Sequence, residues 1–248
     1  MNKKRKRILI IIVLILLAIV LVICIGSKKE KSGSRDELSV KAILQAQLER
    51  GNLQNELGES NIYPEYYTAR HFYNMTEDEV KAGLIENQAM QWYAHKNNIN
   101  VSNKELNKYL QDTIADFKDS EEYDEYSEAA KSLNTTFEDI VLNDSESYRD
   151  ILIKNKLYEK YILENQGTLP SNENTDEIQD NEQWNTFLKD VIEQYKKQAE
   201  DSYEVLLNDF KKCESLVDDN VTDINKIKES GDMAGEPVDQ GCLPRTVY

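Results

Sequence analysis

The sequence predicts an all-α protein. After residue 37, apolar side chains recur three and four positions apart over most of the chain, which places them on one face of a helix. Several of these segments begin with Ser or Thr followed three positions later by Glu, a pattern typical of helix starts. No series of alternating apolar residues indicates strands, and breakers are few, with 9 Gly and 4 Pro in 248 residues.

The charge is unevenly divided along the chain. Residues 1–31 hold eight Lys or Arg and one Glu, a net charge of +7, which leaves −23 on the rest because the whole chain carries −16. Nucleic-acid binding needs clustered Lys and Arg to neutralise phosphates, so no nucleic-acid partner is expected for this acidic body. The acidity favours solubility.

The N-terminal region predicts a membrane anchor. Residues 1–7 form a basic segment with the run KKRKR, and residues 8–25 are apolar without a charge or Pro. A helix of this length spans about 27 Å, close to the roughly 30 Å of a bilayer's hydrocarbon core. The positive-inside rule places the N-terminus in the cytoplasm and the body on the extracytoplasmic side of the cell membrane. Cleavage of the leader, or lipidation at Cys24, is an alternative, although no A-x-A motif is present and Ile23 is bulky for a lipoprotein site.

The first body segments are a stalk and a helix. Residues 26–37 are polar and form the stalk, and a helical apolar pattern covers residues 38–57, weakened at Gly51 and ended at Gly58. The Tyr-rich stretch 59–75 is expected to be irregular, because Pro64 interrupts it.

Two capping boxes define the next two helices. Thr76 with Glu79 starts a helix that runs to about Lys96. In the following stretch NNINVSNKEL, two Asn residues tolerate the left-handed conformation that ends a helix, and Ser102 with Glu105 starts the next one. The stretch therefore predicts a helix–helix corner.

Later starts and a linker complete the predicted body. Ser120, Thr135 with Glu138, and Ser145 each begin a helical pattern. The predicted helical domain covers residues 38–211, and its core arm covers residues 77–164. Residues 165–182 are expected to form a linker and residues 183–211 an apolar returning helix. Residues 212–248 are expected to be a mostly disordered tail with a possible short helix at 223–228. The core arm and the returning helix are expected to pack on each other, because neither has a large core alone.

Catalytic, metal and cofactor motifs are not found. The two His residues, His71 and His95, are expected to be structural, and no Gly-rich phosphate loop, G-x-S-x-G or C-x-x-C motif occurs. The sequence thus predicts neither an enzyme nor a bound metal or cofactor. Cys213 and Cys242 would pair in an oxidising exterior or remain thiols, and the sequence does not decide between these.

Tyr is abundant, with 14 residues, several in polar surroundings. One interpretation is packing of amphipathic helices. The other is an adaptable surface for unfolded or extended chains, since Tyr combines apolar area with a hydrogen-bonding tip at small entropic cost.

The helical pattern resembles that of a known family. The stretch LIENQAMQWYAHKNNINVSNKELNKYL is similar to the N-terminal chaperone domain of SurA/PrsA-type extracytoplasmic foldases, and the resemblance continues in SLNTTFEDI, YRDILIKNKLYEKYI and WNTFLKDVIEQYKKQA. The matching positions are Leu84, Ile85, Ala94, Ile99, Val101, Ser102, Glu105, Thr136 and Glu138. Many members carry a parvulin-type prolyl isomerase domain before the returning helix. The interval 165–182 is too short for it, because a small domain needs on the order of a hundred residues.

The resemblance implies a SurA-N-like helical chaperone domain, tethered to the bilayer through residues 8–25, that binds unfolded or extended exported polypeptides without isomerase activity. A membrane-tethered adaptor or assembly subunit that binds one specific folded partner is the alternative. The candidate peptide-binding residues are aromatic: Trp92, Tyr93, Tyr123, Tyr126, Phe137 and Tyr148. The oligomeric state and the client stay open.

Overall fold

The computed structural model describes residues 39–58, 61–166, 182–218 and 226–227, and every long regular element in them is a helix. This confirms the all-α prediction for these residues. The helices are α1 Val40–Leu57, α2 Tyr63–His71, α3 Glu77–Lys96, α4 Asn103–Lys118, α5 Tyr123–Ser132, α6 Phe137–Asn143, α7 Ser145–Gln166, α8 Glu182–Gln198 and α9 Glu200–Asp218.

The predicted anchor at residues 8–25 lies outside the described residues. Within the described part of the chain, no helix is both long enough and apolar enough to cross a membrane.

Helix α1 ends where its sequence predicts and begins two residues later than predicted. The Ser39 hydroxyl accepts a hydrogen bond from the Ala42 amide at the N-terminus, and Gly58 follows the last turn with φ of 97°, a conformation that favours Gly. Gly51 does not end the helix. It lies so close to α6 that a Cβ there would be 2.6 Å from the Asn143 carbonyl oxygen, so this Gly permits the two backbones to approach.

The prediction of an irregular stretch at 59–75 is wrong for residues 63–71. Helix α2 forms there with Pro64 in its first turn. The first-turn amides have no partner within a helix, so the missing N–H of Pro costs nothing at that position, and its fixed φ suits a helix start. Pro64 therefore helps to start α2. The Tyr side chains of this helix, Tyr63, Tyr66 and Tyr67, are buried.

Both predicted capping boxes are confirmed. At Thr76 and at Ser102, the side chain accepts from the amide three residues on, and the Glu there accepts from the capping residue's own amide. Asn98 ends the preceding helix with φ of 56°, and the Ile99 amide then donates to the Ala94 carbonyl at 2.8 Å. Residues 97–102, which we call the α3–α4 corner, are thus specified at both ends by local hydrogen bonds.

Two predicted starts are displaced. Ser120 does not cap α5, which begins after Glu122 without a side-chain cap. Thr136 caps α6 instead of Thr135, because the Thr136 hydroxyl accepts from the Asp139 amide at 3.1 Å. Consecutive Thr residues, each with an acid three positions on, make the register ambiguous from sequence alone.

The predicted returning helix 183–211 is two helices, α8 and α9, which meet at Ala199. Backbone hydrogen bonds still cross the junction, from the Ala199 amide to Tyr195 and from the Tyr203 amide to Ala199, both at 2.9 Å. Helix α9 continues to Asp218, beyond the predicted end of order at residue 211, because Cys213 is buried in the core. Cys242 lies outside the described residues.

The helices enclose three apolar clusters. The first joins α1, α2 and α3 to α8 and α9, the second lies among α1 and α4–α7, and the third lies between α3, α7 and α8. Helix α1 contacts both α2 and the α5–α6 pair, and α3 contacts both α7 and α8. Helices α1 and α3 therefore hold the two sides of the body together.

Candidate functional site

Three of the six candidate aromatic residues surround one ring. Tyr123, Tyr126 and Phe137 lie with ring centroids 6.2, 5.0 and 4.5 Å from that of Phe117, and we call these four residues the inner aromatic cluster. Phe117, Tyr126 and Phe137 are buried. Edge-on and tilted pairs of this kind stabilise a core. Only Tyr123 is partly exposed, and its hydroxyl donates to Glu138 at 3.0 Å.

Tyr148 is also internal. Its ring centroid lies 6.3 Å from that of Tyr109, and its hydroxyl makes no hydrogen bond to any residue that the structure describes. Burial raises the pKa of this hydroxyl above its usual value. Contact between Tyr148 and a bound polypeptide would require rearrangement of α7.

Trp92 connects α3 to α8. Its ring centroid is 6.0 Å from that of Tyr195, and the Lys96 ammonium lies 4.8 Å above its ring. Only 5% of Trp92 is exposed. This residue therefore stabilises the packing of α8 and offers little area to a ligand.

Tyr93 lies at an exposed aromatic site. With Ile99, Tyr161 and Phe187 it forms a partly exposed apolar group over buried Trp184, which we call the aromatic surface. The Phe187 ring centroid is 5.4 Å from Tyr93, 4.9 Å from Tyr161 and 5.1 Å from Trp184. Helices α3, α7 and α8 each contribute to it, so the surface exists only when all three are assembled.

The structure thus divides the six candidates. It places Trp92, Tyr126, Phe137 and Tyr148 in the interior, and their role in binding polypeptides stays a prediction. Sequence reasoning missed Tyr161 and Phe187 as members of a surface. Both belong to apolar stripes of their helices, and no sequence signal distinguishes the half-buried edge of a stripe from its buried centre.

One model of a protein family matches this chain. The family is described as the SurA-like N-terminal domain, and the match covers residues 1–144, more than half of the 248 residues. The chain belongs to the SurA-like N-terminal domain family. Searches of curated proteins and of solved structures gave no match.

This SurA-like domain is a helical domain of the chaperone type, and such domains are generally associated with binding polypeptide substrates. The matched range ends at Asp144, between α6 and α7. Tyr93 lies inside it, whereas Tyr161, Trp184 and Phe187 follow it in sequence. The aromatic surface is therefore shared between the matched part and the helices that come after it.

Cations of α7 hold the α3–α4 corner of the SurA-like domain in place. Arg149 donates to the Val101 carbonyl at 2.9 Å, and Lys156 donates to both the Asn100 carbonyl and the Glu105 carboxylate at 2.7 Å. The hydrogen bond from Lys156, with those from Ser102, lowers the pKa of Glu105 to about 2. These contacts join the corner, which carries Ile99 of the aromatic surface, to α7.

Among the described residues, no group of three or more His, Cys, Asp or Glu side chains is arranged to hold an ion. His71 stacks on Tyr67 with ring centroids 5.1 Å apart, and His95 is exposed at the end of α3. These positions fit packing and surface roles for the two His residues.

Proposed function

We propose that this protein is a membrane-anchored extracytoplasmic chaperone-like protein that binds unfolded or extended exported polypeptides and has no isomerase activity. The observation that carries the proposal is the family match over residues 1–144. The aromatic surface supports it, since partly exposed Tyr and Phe side chains packed on buried Trp184 offer apolar contact without a large entropic cost.

Charge supports the same function. The body combines the partly exposed aromatic surface with a strong net negative charge, which favours solubility. A holding protein needs this combination, because it must contact apolar segments of many chains without aggregating itself. The short interval 165–182 supports the absence of an isomerase domain.

The test is suppression of aggregation. The full-length protein in zwitterionic micelles is added to several unrelated proteins diluted from denaturant, and light scattering is followed. Combined Tyr161→Ala and Phe187→Ala substitution should weaken suppression at least about 10-fold, since each aromatic anchor in an interface contributes about 2 kcal/mol or more. The matched control is combined Leu142→Ala and Leu163→Ala, because these side chains are 49% and 50% exposed.

The control variant should suppress aggregation as well as the unaltered protein does. Failure of the unaltered protein on every unfolded client, with capture of one folded partner in crosslinked cells, would contradict the proposal and support the adaptor alternative.

Topology is tested separately. The basic run before residue 8 and the apolar segment 8–25 support a cytoplasmic N-terminus and an exposed body. Protease added to intact cells stripped of their outer layers should digest the body and leave a short membrane-bound fragment. Full protection of the body would contradict this topology, and release of the intact body without protease would indicate cleavage of the leader.

A further inference from the structure

A cavity of about 110 Å³ lies between α1, α2, α3 and α7, apart from the aromatic surface. Its ionisable lining groups are Arg50, Glu65, Tyr73, Glu86, Asp150 and Lys154. Cavities of this order admit small organic groups, since an apolar cavity of about 150 Å³ takes up benzene.

Both basic groups at the cavity already have partners. Arg50 donates two hydrogen bonds to the Asp144 carboxylate, from Nε at 2.9 Å and from Nη2 at 2.5 Å. Lys154 donates to Oε1 of Glu86 at 3.3 Å. Two cations therefore lie among four carboxyl groups, those of Glu65, Glu86, Asp144 and Asp150, and the set would have a net charge of −2 if all were ionised. Neutral side chains also contribute, because Asp150 accepts hydrogen bonds from Asn87 and Gln91, and Glu65 accepts one from Gln54.

Two buried polar atoms at the cavity lack a hydrogen-bonding partner among the described residues. They are Oε2 of Glu86 and the hydroxyl of Tyr73, on side chains that are 3% and 8% exposed. A buried polar atom without a partner costs free energy, and the cost is larger for a charged group. A ligand with several N–H donors and a positive charge could donate hydrogen bonds to these two oxygen atoms and offset the negative charge of the carboxyl groups.

The pKa values of two carboxyl groups in the lining are raised, as expected where carboxyl groups outnumber cations. Burial, with the nearby Asp150 and Asp144 carboxylates, raises the pKa of Glu65 to about 8 against the opposing effect of Arg50. Burial also raises the pKa of Glu86, and Lys154 opposes it. Glu65 is therefore mostly protonated at neutral pH, and the cations present do not fully compensate either carboxylate when it is ionised.

We propose that this cavity binds the guanidinium or ammonium end of a basic side chain of a bound polypeptide. Glu86, Tyr73 and Asp150 line the space that such a group would occupy. Partly exposed Asn87, Ser147 and Asp150 form the solvent-accessible part of the lining, through which a flexible side chain enters. The inference rests on the proposed function only in that the cation belongs to a polypeptide.

Methionine methyl groups report on the cavity directly. The chain has four Met residues. Met75 and Met90 line the cavity, whereas Met1 and Met233 are more than 70 positions away in sequence from either of them. The full-length protein in zwitterionic micelles, labelled at its Met methyl groups, is titrated with N-acetyl-arginine methylamide and with the neutral, similarly shaped citrulline compound. The arginine compound should shift the Met75 and Met90 signals at millimolar concentration, and the citrulline compound should not.

Variants locate the charge that is recognised. Combined Glu65→Gln and Asp150→Asn substitution leaves the Arg50–Asp144 and Lys154–Glu86 pairs in place and should weaken arginine binding about 10-fold or more, whereas Asp112→Asn on the exposed side of α4 should not change it. Equal shifts with the citrulline compound, no shift at Met75 and Met90, or unchanged affinity in a folded double variant would overturn the proposal.

A short unstructured peptide with a single Arg distinguishes the source of the cation. It should bind at least as tightly as the single-residue compound. Binding of the small compound without binding of the peptide would show that the cavity takes free small cations, and would overturn the polypeptide assignment. None of these failures affects the aggregation assay, so the two proposals fail separately.

Discussion

The inner aromatic cluster and the aromatic surface are built from the same residue types and differ in enclosure. Phe117 and Phe137 are 0% and 1% exposed, because they lie inside the apolar cluster that α1 and α4–α7 enclose. At the aromatic surface the buried floor is Trp184, while Tyr93, Tyr161 and Phe187 keep one side in solvent. Aromatic composition therefore does not distinguish an exposed ring from an enclosed one, and exposure depends on the helices that cover each ring.

The largest expected effect is at the centre of the inner aromatic cluster. Phe117→Ala should lower the free energy of unfolding by about 3–5 kcal/mol, since it removes a fully buried ring that contacts three other aromatic rings. Phe187→Ala should cost only about 1–2 kcal/mol, because its ring is partly exposed already. Urea unfolding of both variants measures the difference, and equal losses would contradict the distinction between the two regions.

Gly51→Ala tests how tightly α6, which carries Phe137, lies on α1. The added Cβ would be 2.6 Å from the Asn143 carbonyl oxygen and 2.8 Å from its carbon, so backbone must move, at a cost of about 1–3 kcal/mol. Thermal unfolding should show the loss. Glu56→Ala at an exposed position of α1 is the control, and a Gly51→Ala protein as stable as this control would mean that α6 sits further from α1 than described.

Ser102→Ala acts on the corner that joins the helix of Tyr93 to the helix of Phe117. It removes a cap from the first turn of α4 and should lower the free energy of unfolding by about 0.5–2 kcal/mol. Polypeptide binding at low temperature should persist, because Ser102 is outside the aromatic surface. Loss of binding with unchanged stability would show instead that Ser102 contacts the polypeptide.

The smallest effect concerns pH at the same corner. The hydrogen bonds from Lys156 and Ser102 lower the pKa of Glu105 from its ordinary 4.5 to about 2 in the folded chain. Its contribution to stability is therefore complete above about pH 4.5 and is lost as the pH falls through that window towards 2. In unfolding measurements over this range, Glu105→Gln should reduce the pH dependence relative to the unaltered protein. If the stability of both proteins changed with pH in the same way, the hydrogen bonds from Lys156 and Ser102 would not be stabilising the Glu105 carboxylate.

Local signals predicted most of the fold. The capping boxes at Thr76 and Ser102 consist of hydrogen bonds between residues only three positions apart, so sequence alone locates them. The prediction of an irregular stretch around Pro64 was wrong, because Pro breaks a helix interior but suits the first turn of a helix. The junction at Ala199 carries neither Gly nor Pro, and nothing in its sequence marks it.

The candidate site was harder to predict because exposure depends on distant partners. Trp92 and Tyr93 are neighbours in sequence, yet α8 covers the first and leaves the second partly open. Likewise, the partner of Arg50 is Asp144, 94 positions away. A single sequence shows the stripe on each helix and not which helix will cover it.

During synthesis, the side of α3 that carries Trp92 is made long before the helix that covers it. Tyr195 follows Trp92 by 103 positions, which at about 5–20 residues per second corresponds to a delay of roughly 5–20 s. Throughout that interval the growing chain exposes apolar surface of the kind that aggregates or recruits other chaperones. A protein whose proposed work is to shield incomplete chains therefore passes through the same vulnerable state in its own production, and a chain that stops before α8 never leaves it.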